Sequence, residues 1–137
     1  CEVELDFYCN SAIVATLGSV MGITTSGTNL FDAPADMADC TFAAGTNGNE
    51  IIYVYTPATT GMLTIDLEST GDTDLGLYAR TDCLDTGTQV GCADVNFMAG
   101  MQDETLTIPV TMGVPVTIFV DAFAGPGGTY TMTLSQP

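Results

Sequence analysis

Short segments in which apolar and polar residues alternate set the strongest limit on how this chain can fold. In GMLTIDLE, Leu63, Ile65 and Leu67 are apolar, and polar residues stand between them. The same period of two recurs in three further segments, ETLTIPV, PVTIFVD and TYTMTLS. Because successive side chains of a β-strand point to opposite faces of a sheet, each segment is expected to be a strand with one face in a core.

Glycine-based turns separate the apolar segments over most of the chain. Thr60-Gly61, Thr86-Gly87 and the run from Gly125 to Gly128 supply the backbone freedom that tight turns need. EIIYVYTP is apolar on both faces, as in a strand covered on each side, and DLGLYAR supplies one more strand. The chain is therefore predicted to be all-β: a single antiparallel β-sandwich, jelly-roll-like and stapled by disulfides.

The first third of the chain is less regular. VELDFY is expected to be an edge strand, NSAIVAT a short helix or a loop, and VMGITTS another strand, followed by a long irregular loop over residues 28–49. A length of 137 residues suits one domain. We therefore predict a single sandwich domain over residues 1–137, with 1–49 less regular and 50–137 forming the strand-rich core.

The charge balance limits the partners of the protein. Seventeen acidic residues stand against one basic residue, Arg80, and the formal net charge is -16. Affinity for nucleic acids and anionic lipids depends on basic side chains, so neither is an expected partner. The apolar run from Ala12 to Ile23 is interrupted by Thr16, Gly18 and Ser19 and falls short of the roughly 20 apolar residues of a membrane span.

Five cysteines and no histidine point to disulfides rather than to a zinc site. Disulfides persist in oxidising surroundings, so the protein is expected to be secreted, extracellular or at the cell surface. Cys83 and Cys92 flank LDTGTQVG and are expected to close a hairpin-like loop, and Cys9 is expected to pair with Cys40. The rival pairings are Cys1 with Cys40 and Cys1 with Cys9.

An odd number of cysteines leaves one outside intramolecular pairs, and Cys1 is the candidate. Three interpretations of Cys1 stay open: a fragment boundary, a lipid-modified N-terminus, or a disulfide to another chain. The neighbouring acidic residues disfavour its thiolate form, so a catalytic role is not expected.

From Cys9 to Leu134 the order of motifs resembles the bacterial pre-peptidase C-terminal domain family. LGSVMGITTS precedes a cysteine-bearing loop, and three further motifs follow in the family's order: GNEIIYVYTPATTGMLTIDLESTGDTDLGLYA, CLDTGTQVGCAD and VPVTIFVDAFAGPGGTYTMTL. The resemblance implies a small extracellular β-sandwich of the kind appended to secreted proteases and surface proteins. The chain departs from the family at Glu50, where many members carry Asp, and at Cys1, which has no clear counterpart.

Several acidic residues are candidate ligands for calcium, the one cofactor that the sequence suggests. Calcium is bound by about six to eight oxygens, which loops rich in Asp, Asn and Gly can supply without histidine. One candidate set lies around the strand-rich core and comprises Asp72, Asp74, Asp94 and Asp121. A second set is N-terminal and comprises Glu2, Glu4, Asp6 and Glu50. The alternative for Asp72, Asp74, Asp94 and Asp121 is the capping of local turns.

Catalysis is disfavoured by the inventory of residues. Without histidine or lysine the chain offers no Ser-His-Asp triad, Cys-His pair or Schiff-base lysine. Asp66 and Glu68 imitate a glycosidase pair, but residues two apart on an exposed strand are expected to be solvated surface. The chain is predicted not to be an enzyme.

Some aromatic and apolar residues are candidates for contact with a partner. Tyr53 and Tyr55 are expected to pack in the core, with stacking on sugars as the alternative. Phe97, Met98 and Met101 lie in a glycine-containing loop and are a candidate contact surface.

The leading hypothesis is that the protein is a non-catalytic surface or filament subunit. It would assemble through surface loops and through sheet edges, with VELDFY pairing with the sheet of a neighbouring molecule. The alternative is a calcium-tuned accessory domain that binds a polysaccharide or protein.

Overall fold

A computed structural model of the chain describes residues 2–24, 27, 30–31, 48–70, 75–93, 103–122 and 127–137, with the side chains of residues 2–5 left out. One helix and nine strands are present in these residues. They are α1 (Glu2–Asn10), β1 (Ile13–Val14), β2 (Gly18–Ile23), β3 (Glu50–Tyr55), β4 (Gly61–Ser69), β5 (Leu75–Arg80), β6 (Gln89–Ala93), β7 (Asp103–Val110), β8 (Val116–Ala122) and β9 (Thr129–Ser135), with a 3-10 turn at Thr86–Thr88 before β6.

The strands form two sheets. The five-stranded sheet has the order β1-β3-β8-β5-β6, and the four-stranded sheet has the order β2-β9-β4-β7. All described pairs are antiparallel except β1 with β3, which run parallel. The predicted all-β, antiparallel, disulfide-containing sandwich is confirmed. No described helix has the length and apolarity that crossing a membrane requires.

The main core lies between the two sheets and follows the alternation seen in the sequence. In β4, Leu63, Ile65 and Leu67 are at most 1% exposed, while Asp66 and Glu68, which alternate with them, are exposed. β7 and β9 alternate in the same way. The hydroxyl groups of Tyr53 in β3 and Tyr130 in β9 lie 2.6 Å apart, so a hydrogen bond joins the two sheets inside the core.

A second apolar cluster covers the outer face of the five-stranded sheet. It contains Phe31, Ile52, Tyr78, Cys92 and Phe119, and Tyr8, Cys9, Ala12 and Cys83 pack against it. This cover explains why every residue of β5 and β8 is buried. PVTIFVD was expected to have one face in the core, and the structure buries both faces.

The N-terminal segment departs from its expected structure. VELDFY lies in helix α1, so the prediction of an edge strand is wrong. Val, Leu, Phe and Tyr favour strands only where a sheet neighbour receives them. Here Tyr8 and Cys9 instead pack onto the outer face of the five-stranded sheet, and those tertiary contacts favour the helix. NSAIVAT was expected to be a short helix or a loop, but it contributes the two-residue strand β1. VMGITTS contributes most of β2, as predicted.

The described disulfide joins Cys9 to Cys83, with Cα atoms 5.9 Å apart, so the predicted pairs Cys9–Cys40 and Cys83–Cys92 are wrong. The register of the β5–β6 hairpin gives the reason: Cys92 lies opposite Tyr78, whereas Cys83 lies in the turn beyond the end of β5. Cys92 is also disulfide-bonded, and its partner falls outside the described residues, as do Cys1 and Cys40.

Candidate self-association surface

Strands β1 and β2 form one edge of the sandwich. β1 is the terminal strand of the five-stranded sheet, and β2 is the terminal strand of the four-stranded sheet. Only three residues separate the two strands in the chain, so both lie at the same side of the molecule. We call residues Ile13–Ile23 the β1–β2 edge.

Exposed apolar side chains concentrate on the β1–β2 edge. Thirteen large hydrophobic residues are exposed among those the structure describes, and six belong to this edge: Ile13, Val14, Leu17, Val20, Met21 and Ile23. Val14 is 76% exposed and Met21 is 82% exposed. A cluster of this kind is typical of an interaction surface, whereas single exposed apolar residues are normal.

The edge carries no charge. No Asp, Glu, Lys or Arg occurs from Phe7 to Phe31, in a chain with seventeen acidic residues. Natural sheets protect exposed edge strands with lysine, proline or inward-pointing charges, and β2 has none of these residues in Gly18–Ile23. The strand is therefore suited to pairing with another strand.

The residues of β2 face two directions. The strand pairs with β9 so that Val20 lies opposite buried Met132, and Met21 lies opposite Thr131. Val20 therefore faces the core side, and Met21 lies on the outer face of the four-stranded sheet. Gly22 lies against the ring of Tyr130, where an added Cβ would overlap the ring carbon Cζ and the hydroxyl oxygen. The tight packing holds β2 against β9.

A cavity of about 160 Å³ lies beside β1, lined by the end of α1 and the start of β3. Its apolar lining includes Ala12, Ile13, Ile51 and Ile52, and Glu50 is the only carboxylate among the lining residues that the structure describes. Glycoside hydrolysis of the usual type needs two carboxylates that flank the scissile bond. The described lining does not supply such a pair.

The single basic side chain is buried on the outer face of the five-stranded sheet. Arg80 is 2% exposed, and its guanidinium carbon lies 5.3 Å from the ring centroid of Tyr78 and 4.8 Å from that of Phe119. Its Nη1 donates a hydrogen bond of 3.1 Å to the carbonyl oxygen of Cys83. Arg80 is thus held by aromatic rings and by the turn that carries the disulfide.

Two acidic residues lie on the same buried face. Asp121 is fully buried, and its Oδ2 accepts a hydrogen bond of 2.9 Å from the hydroxyl group of Tyr78. Burial raises the pKa of the Tyr78 hydroxyl well above its usual value, and the Asp121 carboxylate raises this pKa further. Glu50 lies opposite Asp121 across β3 and β8, and its Oε1 accepts from the backbone amides of Leu30 and Phe31.

The candidate calcium ligands are only partly within the described residues. Among these residues, no group of three or more acidic residues or cysteines is placed to hold a metal ion. Glu50 and Asp121, from different candidate sets, are neighbours, whereas Asp6 is exposed on α1. Asp72, Asp74 and Asp94, and the side chains of Glu2 and Glu4, fall outside what is described. Calcium binding stays a prediction.

Some of the other candidate residues lie within the described part of the chain, and some lie outside it. Tyr53 and Tyr55 are buried in the core, as expected, and the Tyr55 hydroxyl donates to Oε1 of Gln136. Asp66 and Glu68 are exposed, and Asp66 accepts a hydrogen bond from Thr105 on the neighbouring strand. The loop surface predicted at Phe97, Met98 and Met101 falls outside the described residues.

The sequence alone does not identify the β1–β2 edge as a surface. Its signal is the uncharged run from Phe7 to Phe31, which contains eight of the thirteen large apolar residues that are exposed among those described. Apolar residues in a strand suggest a core, however, and only the topology shows that β1 and β2 are terminal strands. The edge proposed from VELDFY is corrected to this one.

Comparisons with known proteins place the fold. No family model matches the chain, and no curated protein matches it. Among solved structures, it is similar to the pre-peptidase C-terminal domain of a collagenase from Bacillus anthracis, with a TM-score of 0.60 and 11% identity over 90% of this chain and 94% of that one. It is also similar to CorA, a surface-associated copper-binding protein of Methylomicrobium album BG8. The TM-score is 0.52, and the identity is 10% over 92% of this chain and 98% of that one. The chain therefore has the β-sandwich fold of the pre-peptidase C-terminal domain, as its motifs suggested.

Proposed function

We propose that this protein is a non-catalytic, extracellular structural module that associates with copies of itself through the β1–β2 edge. The observation that carries the proposal is the exposed, uncharged strand β2 at the end of the four-stranded sheet. Backbone pairing between two such strands extends a sheet across two molecules, and the apolar side chains beside them lose contact with water.

The charge distribution favours a second copy as the occupant of this edge. A cationic partner is attracted to the acidic surface, which does not include residues 7–31. Two copies repel each other through their negative charges, so they approach with least repulsion where those charges are absent. The uncharged β1–β2 edge meets this condition.

The symmetry of the contact determines what it can build. Pairing of β2 with β2 of a second copy is isologous, so it closes on itself and gives a dimer. A filament needs one further contact, for which the predicted loop surface at Phe97, Met98 and Met101 and the predicted disulfide from Cys1 to another chain are the candidates. Negative-stain images separate the two assemblies, because dimers appear as discrete particles.

An extracellular location is part of the proposal. The Cys9–Cys83 disulfide and the bonded state of Cys92 are expected in an oxidising compartment. CorA, which shares the fold, is surface-associated. Calcium tuning remains a separate proposal, tested by calorimetric titration of chelator-treated protein with calcium chloride and by the same titration of Asp121→Asn.

Sedimentation velocity of the purified protein tests self-association. We expect the wild type to form dimers or larger species, and Met21→Glu to raise the dissociation constant about tenfold or more, because the variant brings charges together at the edge. Met112→Glu is the matched control, since Met112 is 63% exposed and lies in the turn between β7 and β8. A wild type that stays monomeric at high concentration, or equal effects of both variants, would contradict the proposal.

A further inference from the structure

We infer that salt strengthens the association between copies, because the interface is formed between surfaces whose charged side chains are all negative. The inference rests on the proposed self-association and adds how that surface is controlled. Protein interfaces that contain ion pairs show the opposite behaviour, since salt screens the attraction between opposite charges.

The only basic side chain of the protein is buried. The chain has one Arg, no Lys and no His. Arg80 is 2% exposed, and it is enclosed by the rings of Tyr78 and Phe119 and bonded to the carbonyl oxygen of Cys83. A second copy therefore meets no positive side chain on the surface, and two copies cannot form an ion pair between their side chains.

Two acidic residues of β4 lie two strands away from the β1–β2 edge. The outer face of the four-stranded sheet carries a row in which Met21, Thr131 and Glu68 lie on β2, β9 and β4. Strands lie about 4.8 Å apart, so Glu68 is about 10 Å from β2. Asp66 lies in the neighbouring row at the same spacing, opposite Thr133. Edge-to-edge pairing brings these carboxylates and those of a second copy to the same sheet face.

The range of the repulsion between carboxylates of two copies depends on the salt concentration. The Debye length is about 30 Å at 0.01 M salt, about 10 Å at 0.1 M and about 3 Å at 1 M. Carboxylates two strands from the edge therefore repel those of a second copy at low salt and are screened at moderate salt. The attraction at the edge comes from backbone pairing and apolar contact, which this screening leaves in place.

Sedimentation velocity in sodium chloride tests the sign of the salt effect. Between about 0.02 and 0.3 M, we expect the dissociation constant of the wild type to fall about tenfold. Glu68→Gln removes a charge near the edge and is expected to reduce this change. Asp85→Asn is the control, because Asp85 lies in the β5–β6 turn beside β6, at the opposite edge of the five-stranded sheet.

The outcomes separate this inference from the proposed function. A protein that is monomeric at every salt concentration contradicts both. A protein that associates through the edge but more weakly as salt rises contradicts only the inference. Calcium chloride matched in ionic strength supplies a further arm: association equal to that in sodium chloride supports screening, and far stronger association points to a specific cation site and overturns the inference.

Discussion

The guanidinium group of Arg80 lies over the ring of Phe119, 4.8 Å from its centroid, beneath the N-terminal part of the chain. Phe119 also stacks on Tyr78, with ring centroids 4.6 Å apart and an interplanar angle of 9°. The charge is buried against aromatic rings, and Glu50 and Asp121 lie opposite each other on the same face of the sheet. The chain's one cation therefore serves the interior of the protein.

Arg80→Met is expected to destabilise the protein by about 3 kcal/mol, because it removes the buried contacts of the guanidinium group with Tyr78 and Phe119 and its hydrogen bond to the carbonyl oxygen of Cys83. Chemical denaturation followed by tyrosine fluorescence measures the free energy of unfolding. Met62→Leu, at a 45% exposed site, is the control and is expected to change stability by less than about 0.5 kcal/mol. An Arg80→Met variant as stable as the wild type would show that the burial of Arg80 is energetically neutral.

The disulfide between Cys9 and Cys83 is expected to stabilise the fold by about 4 kcal/mol in the chain-entropy model, since it closes a loop with a sequence separation of 74 residues. The double variant Cys9→Ser, Cys83→Ser isolates this bond from the one made by Cys92. Urea unfolding of this variant measures the loss. If hydrogen exchange shows α1 equally protected in both proteins, the disulfide is not what holds the helix on the sheet.

Strands β4, β7 and β9 were predictable from the sequence because their burial follows a local period of two. Leu63, Ile65 and Leu67 in β4 have one buried and one open face, so the alternation alone identifies the strand. Helix α1 was not predictable in this way, because Tyr8 and Cys9 are placed by contacts with residues distant in the chain. The disulfide pairing failed for the same reason, since sequence spacing does not give the register that sets Cys92 opposite Tyr78.

The candidate surface depends on topology rather than on local pattern. The residues of β2 are as apolar as those of a core strand, and their exposure follows from the place of β2 at the end of its sheet. The burial of Arg80 was equally hidden, because a lone arginine is usually a surface residue. Neither the exposed edge nor the buried arginine can be recognised without knowing how the strands are arranged in the two sheets.

Gly22→Ala is expected to destabilise the protein by about 1 to 3 kcal/mol through overpacking. An added Cβ overlaps the ring of Tyr130, and the ring cannot easily move because its hydroxyl is hydrogen-bonded to that of Tyr53 in the core. Gly61→Ala is the matched control, since its nearest neighbour would be Nε2 of Gln136 at 3.6 Å. Thermal unfolding compares the two variants. Equal melting temperatures would contradict the close contact between β2 and Tyr130.

Stability is expected to fall as the pH rises above about 10, the ordinary pKa of tyrosine. Burial raises the pKa values of Tyr53, Tyr78 and Tyr130 in the folded protein. The unfolded chain therefore loses these protons first, so the stabilisation is fully present below pH 10 and is lost as the pH increases towards the folded pKa values. Each such tyrosine contributes a slope of about 1.4 kcal/mol per pH unit.

Tyr130→Phe tests this slope, because the variant removes one titrating group from the interior. Urea unfolding at several values between about pH 9 and pH 11 gives the free energy of unfolding at each pH. The variant is less stable at neutral pH, since Tyr53 loses its hydrogen-bond partner, but its stability is expected to fall less steeply with pH. Parallel curves for the two proteins would mean that the Tyr130 hydroxyl ionises as readily in the folded protein as in the unfolded chain.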